Sequence, residues 1–478
     1  MKPNRIKPFI LIVLLIAVTG AAMAYSTGKA KMLFSSWTSP AAPRLPGQSG
    51  IVHISGNLIQ SKVLQGSEGI VNLALSIEAD NVLEQVTAAG RNVDMVVVLD
   101  RSGSMQGKKL DDARQATLNL LSHLSAKDRF ALITYSDRVY TFSGLVQVST
   151  ANRKHLESVI YSIRAGGGTN LGAGLKQGIN TLTSNPHNGN TGKIILISDG
   201  LANKGITNPQ ELGKMAGVAV EKEFTVSTVG VGADFNEYLM TTIADRGTGN
   251  YYYLENPGAF AEVFQKEFSY SKATVASGVS VRLPLKDGIS LVNAAGYPIS
   301  IQNGKAVFYP GDLRSGQSRK LFLTLQVPTG SQRDIEISDI TVNYLHNGHA
   351  FVTRLNTPFT IACVQNPEEV YSSIDKTAWT QKVLQEDFNK LKQEVAKDIK
   401  AGEKEIALDR IDHYYREQKK TNAAVGSEEV DKNLNKELEE LRDVVEDTFH
   451  GAPAAVNEKQ KLNSKSLQYD GYTGRRRQ

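Results

Sequence analysis

The fold is decided by residues 93–105, VDMVVVLDRSGSM. The first half of this stretch is a nearly unbroken apolar run from Val93 to Leu99, which is typical of a central parallel strand buried on both faces. The run ends at Asp100 and passes directly into an Asp-x-Ser-x-Ser pattern that includes Ser102 and Ser104. Ligands of open parallel sheets bind at the carboxyl ends of the strands, so this pattern predicts a binding site at that edge.

Strand-like and helix-like segments alternate along residues 92–268. The segments of strand type are 93–99, 130–135, 193–198 and 224–231, and apolar residues at helical spacing fill 110–124, 156–163 and 211–221. Strands that alternate with helices over this length indicate an α/β domain with a doubly wound, mostly parallel sheet.

Three segments with oxygen-bearing side chains follow strands or lead into helices of this domain. They are 100–104, the glycine-rich 166–169, and 198–200. Mg²⁺ prefers oxygen ligands in near-octahedral geometry, and the hydroxyls and carboxylates of these segments are oxygen ligands. The sequence therefore predicts a metal site that comprises Asp100, Ser102, Ser104, Thr169 and Asp199. Mg²⁺ is the expected ion, and oxygen ligands alone also admit Mn²⁺ or Ca²⁺.

These five residues match the metal-ion-dependent adhesion site of the von Willebrand factor A and integrin inserted-domain family, which residues 92–268 resemble. The resemblance implies that the hydroxyls bind the metal directly. It also implies that an Asp or Glu carboxylate of a protein partner completes the coordination. The strand-rich flanks resemble those of bacterial von Willebrand-type envelope proteins and of inter-α-inhibitor heavy-chain-like proteins, but less closely.

The rest of the chain divides into segments that differ in their sequence pattern. Strand-like runs occupy 51–91, and short strands separated by turn signals at 269–364 indicate a β-sandwich. We hypothesise that the earlier strands complete this sandwich, so that the α/β domain is inserted into it. Residues 365–450 are charged and have helical periodicity, which predicts a helical segment. Residues 451–478 are polar and are predicted to be a disordered tail.

The amino terminus has the pattern of an export signal. Basic Lys2, Arg5 and Lys7 precede an apolar run that ends in Ala-Met-Ala at residue 24. Residues 1–24 are therefore predicted to be a signal peptide or a retained signal anchor, followed by a linker at 25–50. Positive-inside logic puts the remaining chain outside the cytoplasm in both cases, either secreted or periplasmic, or anchored to the membrane by this segment.

Composition excludes several classes of function. With 54 Lys and Arg against 49 Asp and Glu, the net charge is +5, and no basic stripe of the kind that binds nucleic acid lies between the two ends. The single cysteine, Cys363, excludes a disulfide within the chain and a thiolate metal cluster.

Catalysis is a weaker interpretation than binding. A phosphatase of the Asp-x-Asp type needs a second acid two residues after Asp100, and this chain has Ser102 at that position. The glycines before Thr169 are not followed by the Gly-Lys-Ser/Thr of a phosphate loop. We expect a non-enzymatic, cation-dependent protein that binds a carboxylate-bearing protein ligand and no nucleic acid. The open alternatives are a metal-dependent hydrolase or phosphatase, and an accessory subunit of an envelope or channel complex.

Overall fold

The computed structural model describes residues 50–82, 92–185, 190–232, 234–255 and 259–476. The predicted signal segment at 1–24, and all but the last residue of the predicted linker, lie outside these residues. Within the described ranges, we find no helix that is both long enough and apolar enough to cross a membrane.

Among the described residues, three strands precede the α/β domain. They are β1 (Val52–Leu58), β2 (Lys62–Leu64) and β3 (Ile70–Ala79). β1 and β3 form an antiparallel pair, in which Val52 lies opposite Ala79 and Leu58 opposite Leu73. Since two strands do not make a stable sheet, their apolar face needs further partners.

The α/β domain is built on a central six-stranded sheet. Its strands are β4 (Val93–Asp100), β5 (Arg129–Tyr135), β6 (Val139–Gln147), β7 (Thr191–Ser198), β8 (Phe224–Val231) and β9 (Thr248–Leu254). They lie in the order β6-β5-β4-β7-β8-β9, with the edge strand β6 antiparallel to β5 and the other pairs parallel. β4, β7 and β8 are buried along their whole length, as their apolar sequences predict.

Helices cover both faces of this sheet, which confirms the predicted doubly wound α/β fold class. They are α1 (Lys108–His123), α2 (Thr150–Ser162), α3 (Leu171–Thr183), α4 (Pro209–Glu221), α5 (Glu237–Arg246) and α6 (Phe260–Ala273). α1, α2 and α6 share one apolar core with the sheet, while α3, α4 and α5 share the other. α6 runs to Ala273, so the boundary predicted at 268 falls inside a helix and is wrong by about one turn.

The β-sandwich combines strands from both sides of the α/β domain. Its later strands are β10 (Thr274–Pro284), β11 (Ser290–Ala294), β12 (Ser300–Gln302), β13 (Lys305–Phe308), β14 (Leu313–Arg314), β15 (Ser318–Gln326), β16 (Asp334–Ile337), β17 (Thr341–His346), β18 (His349–Arg354) and β19 (Phe359–Val364). β3 pairs with β15, and β2 pairs with β19. Leu73 and Leu75 from β3 join one core with Val281 and Val342 from the later strands. The α/β domain is therefore inserted into the sequence of the sandwich, between β3 and β10.

Helices make up the remainder of the described chain. They are α7 (Pro367–Ser372), α8 (Lys376–Lys382), α9 (Phe388–Ala401), α10 (Lys404–Val425), α11 (Glu428–Lys432), α12 (Leu438–Thr448) and α13 (Pro453–Arg476). One π-helical turn joins α8 to α9, and another joins α11 to α12. Their apolar core includes Trp379, Phe388 and Ile411, together with Ala74 and Phe322 from the sandwich. The helices thus pack on the outer face of the β3–β15 pair.

The prediction of a disordered tail at 451–478 is wrong for α13. This helix buries Leu467 in the helical core and Tyr472 in a core of the α/β domain, and it also approaches α9 closely at a glycine. A Cβ added at Gly471 would lie 2.4 Å from the carbonyl oxygen of Asn389, so only glycine permits this approach. Lys465 is buried with its ammonium 3.0 Å from Glu237 Oε2. Close helix contact and buried ion pairs hold a segment whose composition alone indicates disorder.

Candidate metal centre

Asp100 lies at the junction between β4 and the loop that follows it. β4 and β7 are parallel neighbours with Leu99 opposite Ile197, so Asp100 and Ser198 end at the same edge of the sheet. Asp100 Oδ1 accepts a hydrogen bond from the Ser102 backbone N–H at 2.8 Å, and Oδ2 accepts one from Ser198 Oγ at 2.9 Å. These bonds fold the Asp-x-Ser-x-Ser loop back over the strand end.

Hydroxyl groups connect this loop to Asp199. Ser102 Oγ and Ser104 Oγ are 3.0 Å apart, and Ser104 Oγ donates to Asp199 Oδ1 at 2.8 Å. The second oxygen of Asp199 accepts from Lys109 Nζ, in the first turn of α1, at 2.6 Å. The first and third predicted segments therefore meet side by side.

Thr169 is brought to the same place by backbone contacts between loops. Gly103 N–H donates to the Gly167 carbonyl at 3.0 Å, and Thr169 N–H donates to Asn203 Oδ1 at 3.0 Å. A Cβ added at Gly200 would lie 3.4 Å from Ser104 Oγ and 3.7 Å from Thr169 Oγ1. The two hydroxyls thus face the same space beside Gly200. All five predicted residues come together at the carboxyl edge of the sheet.

The site concentrates negative charge away from water. Asp100 and Asp199 are fully buried. Burial raises the pKa of Asp100 to about 6, and the Asp199 carboxylate adds to that rise, whereas hydrogen bonds from Ser102 and Ser198 oppose it. Within the described residues Asp100 forms no ion pair, and Lys109 faces only Asp199. Two buried carboxylates beside one ammonium leave a charge that a cation would offset.

The donor set suits a hard divalent cation. Ser102, Ser104 and Thr169 supply neutral hydroxyl oxygens, and Asp100 and Asp199 supply carboxylate oxygens. Such oxygens are the preferred ligands of Mg²⁺, which also keeps several waters. The residues present therefore fit a bound Mg²⁺.

Three supporting residues were not predicted from the sequence. Ser198 orients Asp100, Lys109 holds Asp199, and Asn203 fixes the backbone of Thr169. Ser198 directly precedes Asp199, so its position at a strand end is visible in the sequence. The contacts of Lys109 and Asn203 join separate loops, and only the folded sheet brings them together.

Large apolar side chains are exposed around the site. Leu201, two residues after Asp199, is 57% exposed, and Ile206 in the same loop is 40% exposed. Tyr140 is 45% exposed, with the Arg101 guanidinium 4.7 Å from its ring centre. Leu201, Ile206 and Tyr140 thus form an exposed apolar rim at the edge of the sheet that carries the candidate metal centre.

Comparison with known proteins identifies the α/β domain. Residues 94–266 match the sequence model of the von Willebrand factor type A domain. A relative from Escherichia coli K12, the uncharacterized protein YfbK, is 32% identical over 194 residues, which are 40% of this chain and 33% of that protein. Inter-alpha-trypsin inhibitor heavy chain H3 of Mesocricetus auratus is 31% identical over 178 residues, or 36% of this chain and 19% of the relative. The chain thus matches about a third or less of the length of these two relatives.

Solved structures are similar over most of the chain. A von Willebrand factor type A protein from Catenulispora acidiphila superposes with a TM-score of 0.67 at 17% identity, and the match covers 90% of this chain and 98% of that one. The ArnB paralog VWA2 from Sulfolobus acidocaldarius superposes with a TM-score of 0.55, also at 17% identity, over 89% and 99% of the two chains. At this identity the likeness concerns the fold, and it extends beyond the α/β domain to the sandwich and helices.

Proposed function

Because residues 94–266 form a von Willebrand factor type A domain, we propose that this protein binds other proteins through a divalent cation, outside the cytoplasm. The convergence of three hydroxyls and two buried carboxylates from separate loops carries the proposal. Mg²⁺ is the proposed ion, and Mn²⁺ or Ca²⁺ are the alternatives that the same oxygen ligands admit.

The residues of the site would hold the ion in two different ways. The hydroxyl oxygens of Ser102, Ser104 and Thr169 would bind it directly, while Asp100 and Asp199 would supply charge. When bound, the cation supplies an electrophilic position that a carboxylate can occupy. Ser104 is exposed whereas Ser102 and Thr169 are nearly buried, so a partner would approach from the Ser104 side.

The partner proposed is a protein that presents an Asp or Glu carboxylate on an apolar surface. Its carboxylate would complete the metal coordination. The exposed rim of Leu201, Ile206 and Tyr140 would contact the apolar surface around that carboxylate, and burial of such groups stabilises complexes. The partner could be a separate ligand or another subunit of an envelope assembly, and both use the same chemistry.

Binding is favoured over catalysis by the state of Asp100. A carboxylate that attacks a phosphate ester needs an accessible oxygen, yet Asp100 is fully buried and both of its oxygens accept hydrogen bonds. Export is supported by the sequence of residues 1–24, in which basic residues are followed by an apolar run.

The proposal is tested with Ser104→Ala and a matched control, Ser122→Ala. Both serines are exposed in the α/β domain, and in the described structure the Ser122 hydroxyl bonds only within its own helix, to the Asn119 carbonyl and to His123 Nδ1. Mg²⁺ at a hundredfold excess over its Kd stabilises a native protein by roughly 2.7 kcal/mol. We expect Mg²⁺ to raise the unfolding midpoint of the wild type and of Ser122→Ala, and to raise that of Ser104→Ala much less.

A pull-down from envelope extracts with the same three proteins tests the partner. Retention that requires Mg²⁺, survives in Ser122→Ala and is lost in Ser104→Ala supports a binding function. An unfolding midpoint that is identical in Mg²⁺ and in chelator refutes the metal site. Hydrolysis of a phosphate ester by the wild type, lost in Ser104→Ala, would replace the binding function by a phosphatase.

A further inference from the structure

The Lys109 ammonium lies within the candidate metal centre. Its Nζ donates to Asp199 Oδ2 at 2.6 Å, and the Lys109 side chain is 30% exposed whereas that of Asp199 is fully buried. Lys109 stands in the first turn of α1, where the helix dipole disfavours a cation. The contact with Asp199 therefore holds a cation at a helix position that does not favour one by itself.

Lys109 and the candidate metal ligands share one carboxylate. Asp199 Oδ1 accepts a hydrogen bond from Ser104 Oγ at 2.8 Å, and the ammonium occupies Oδ2. A Cβ added at Gly232, in the loop after β8, would lie 3.7 Å from both Cε and Nζ of Lys109. The lysine side chain thus lies between Asp199 and this loop, at the carboxylate oxygen that the serine hydroxyl leaves free.

Three charged groups set the charge of the site. Asp100 and Asp199 are negative and Lys109 is positive, so together these groups carry one negative charge. Within the described residues, no third acidic, histidine or cysteine side chain joins Asp100 and Asp199 to form a metal-binding group. A divalent cation bound at the hydroxyls would therefore leave one positive charge in excess.

The neighbouring charged residues do not cancel this excess. Lys204 is paired with Asp137, and Lys108 is paired with Asp112, so these four groups are neutral in sum. Arg101, which follows Asp100 in the chain, is a further cation at the same edge. The negative charge that would balance the bound ion therefore has to come from outside this site.

We propose, on the basis of the cation-dependent binding proposed above, that Lys109 is a positioning residue that keeps the bound ion short of negative charge. Its ammonium competes with the ion for the charge of Asp199. This competition weakens the binding of Mg²⁺ and leaves a positive charge for the carboxylate of a partner to neutralise. Lys109 therefore lowers the affinity of the site for the metal and raises the affinity of the loaded site for an Asp or Glu side chain.

The effect on the metal is tested by calorimetric titration of the full chain with Mg²⁺. Lys109→Met and Lys109→Gln remove the charge, and Lys109→Arg keeps it. Lys108→Met is the matched control, because Lys108 is the adjacent lysine and pairs with Asp112 within α1.

Both neutral variants should bind Mg²⁺ at least roughly tenfold more tightly than the wild type, because affinity rises with the negative charge of a site. Lys109→Arg and Lys108→Met should stay close to the wild type. A variant that merely disturbed the fold would bind Mg²⁺ more weakly, so the direction of the change separates the two explanations. Circular dichroism shows which neutral variants are folded, and unchanged or weaker binding by these overturns the proposal. An equal rise in Lys108→Met overturns it as well.

The effect on the partner is tested with a short peptide, acetyl-Leu-Glu-Leu-amide, which presents one carboxylate between apolar side chains. Its glutamine counterpart reports binding that does not need the carboxylate. With each protein saturated with Mg²⁺, the wild type should bind the glutamate peptide at least roughly fivefold more tightly than Lys109→Met does. Equal affinities of the two proteins, or no binding by either, overturn the proposal. A wild type that takes up no Mg²⁺ would refute the metal site itself, whereas Mg²⁺ binding that is the same with and without Lys109 refutes only the role of this lysine.

Discussion

The buried ion pair between Lys193 and Glu267 gives the sharpest test of how the α/β domain is held together. The Glu267 side chain has no exposed surface and that of Lys193 is 8% exposed, and their charged atoms are 2.6 Å apart. Glu267 also accepts hydrogen bonds from Ser227, Asn250 and Tyr252 at 2.6 to 2.9 Å. Burial alone would raise the pKa of Glu267, but Lys193 and these donors outweigh it and hold the pKa below its ordinary value.

Glu267→Gln should therefore be strongly destabilising. The amide turns an acceptor atom into a donor that faces other donors, and it leaves the Lys193 ammonium buried without a counter-charge. Removal of one partner of a buried pair costs roughly 3–5 kcal/mol, and we expect a loss of that size. Lys193→Met should cost a similar amount because it leaves the Glu267 carboxylate uncompensated. The double variant Lys193→Met/Glu267→Gln should lose clearly less than the sum of the single losses, since it leaves no unpaired charge.

The measurement is urea unfolding of all four proteins, followed by far-ultraviolet circular dichroism at neutral pH. Midpoints are compared for the same transition, because a chain with several cores need not unfold in one step. A loss below about 1 kcal/mol for Glu267→Gln is the size of a solvent-exposed pair and would refute the reasoning. Strict additivity of the two single losses would refute it as well.

Three further predictions concern other residues of the α/β domain. Burial would raise the pKa of Glu237, but Lys465 and Lys400 hold this pKa below the ordinary value of 4.5. The stability that Glu237 contributes is therefore fully present above about pH 4.5, and it is lost as the pH falls through the folded-state pKa. The difference in urea midpoint between wild type and Glu237→Gln should shrink from about pH 7 to about pH 3, and a constant difference would contradict this. Gly230→Ala should cost roughly 1–3 kcal/mol, because its Cβ would lie 2.3 Å from the Phe235 ring. Gly217→Ala in α4, where the Cβ meets nothing within 4 Å, should instead stabilise by roughly 0.5–1 kcal/mol in thermal unfolding.

The α/β fold could be predicted because its signals are local. The apolar run that ends at Asp100 has the length and burial pattern of a central strand, and a parallel strand carries its ligand residues at its carboxyl end. The five oxygen-bearing residues could therefore be assigned to one edge before any contact was known. Lys109 could not, because its contact with Asp199 depends on the angle at which α1 leaves the loop.

The tail shows what the sequence does not contain. The close approach of Gly471 to α9 has no apolar signature, and a buried Lys465 looks like a surface lysine until Glu237 is found beside it.

The pairing of β3 with β15 imposes an order on synthesis. Glu78 and Ser318 are opposite each other across that pair and 240 residues apart in the chain. A ribosome that adds roughly 5–20 residues per second needs some ten to fifty seconds to deliver the second strand after the first. During that interval the whole α/β domain has emerged, while β1 and β3 have an unpaired edge open to other chains. The α/β domain, with its candidate metal centre, can therefore fold first, while the free edge of β3 stays open until β15 arrives.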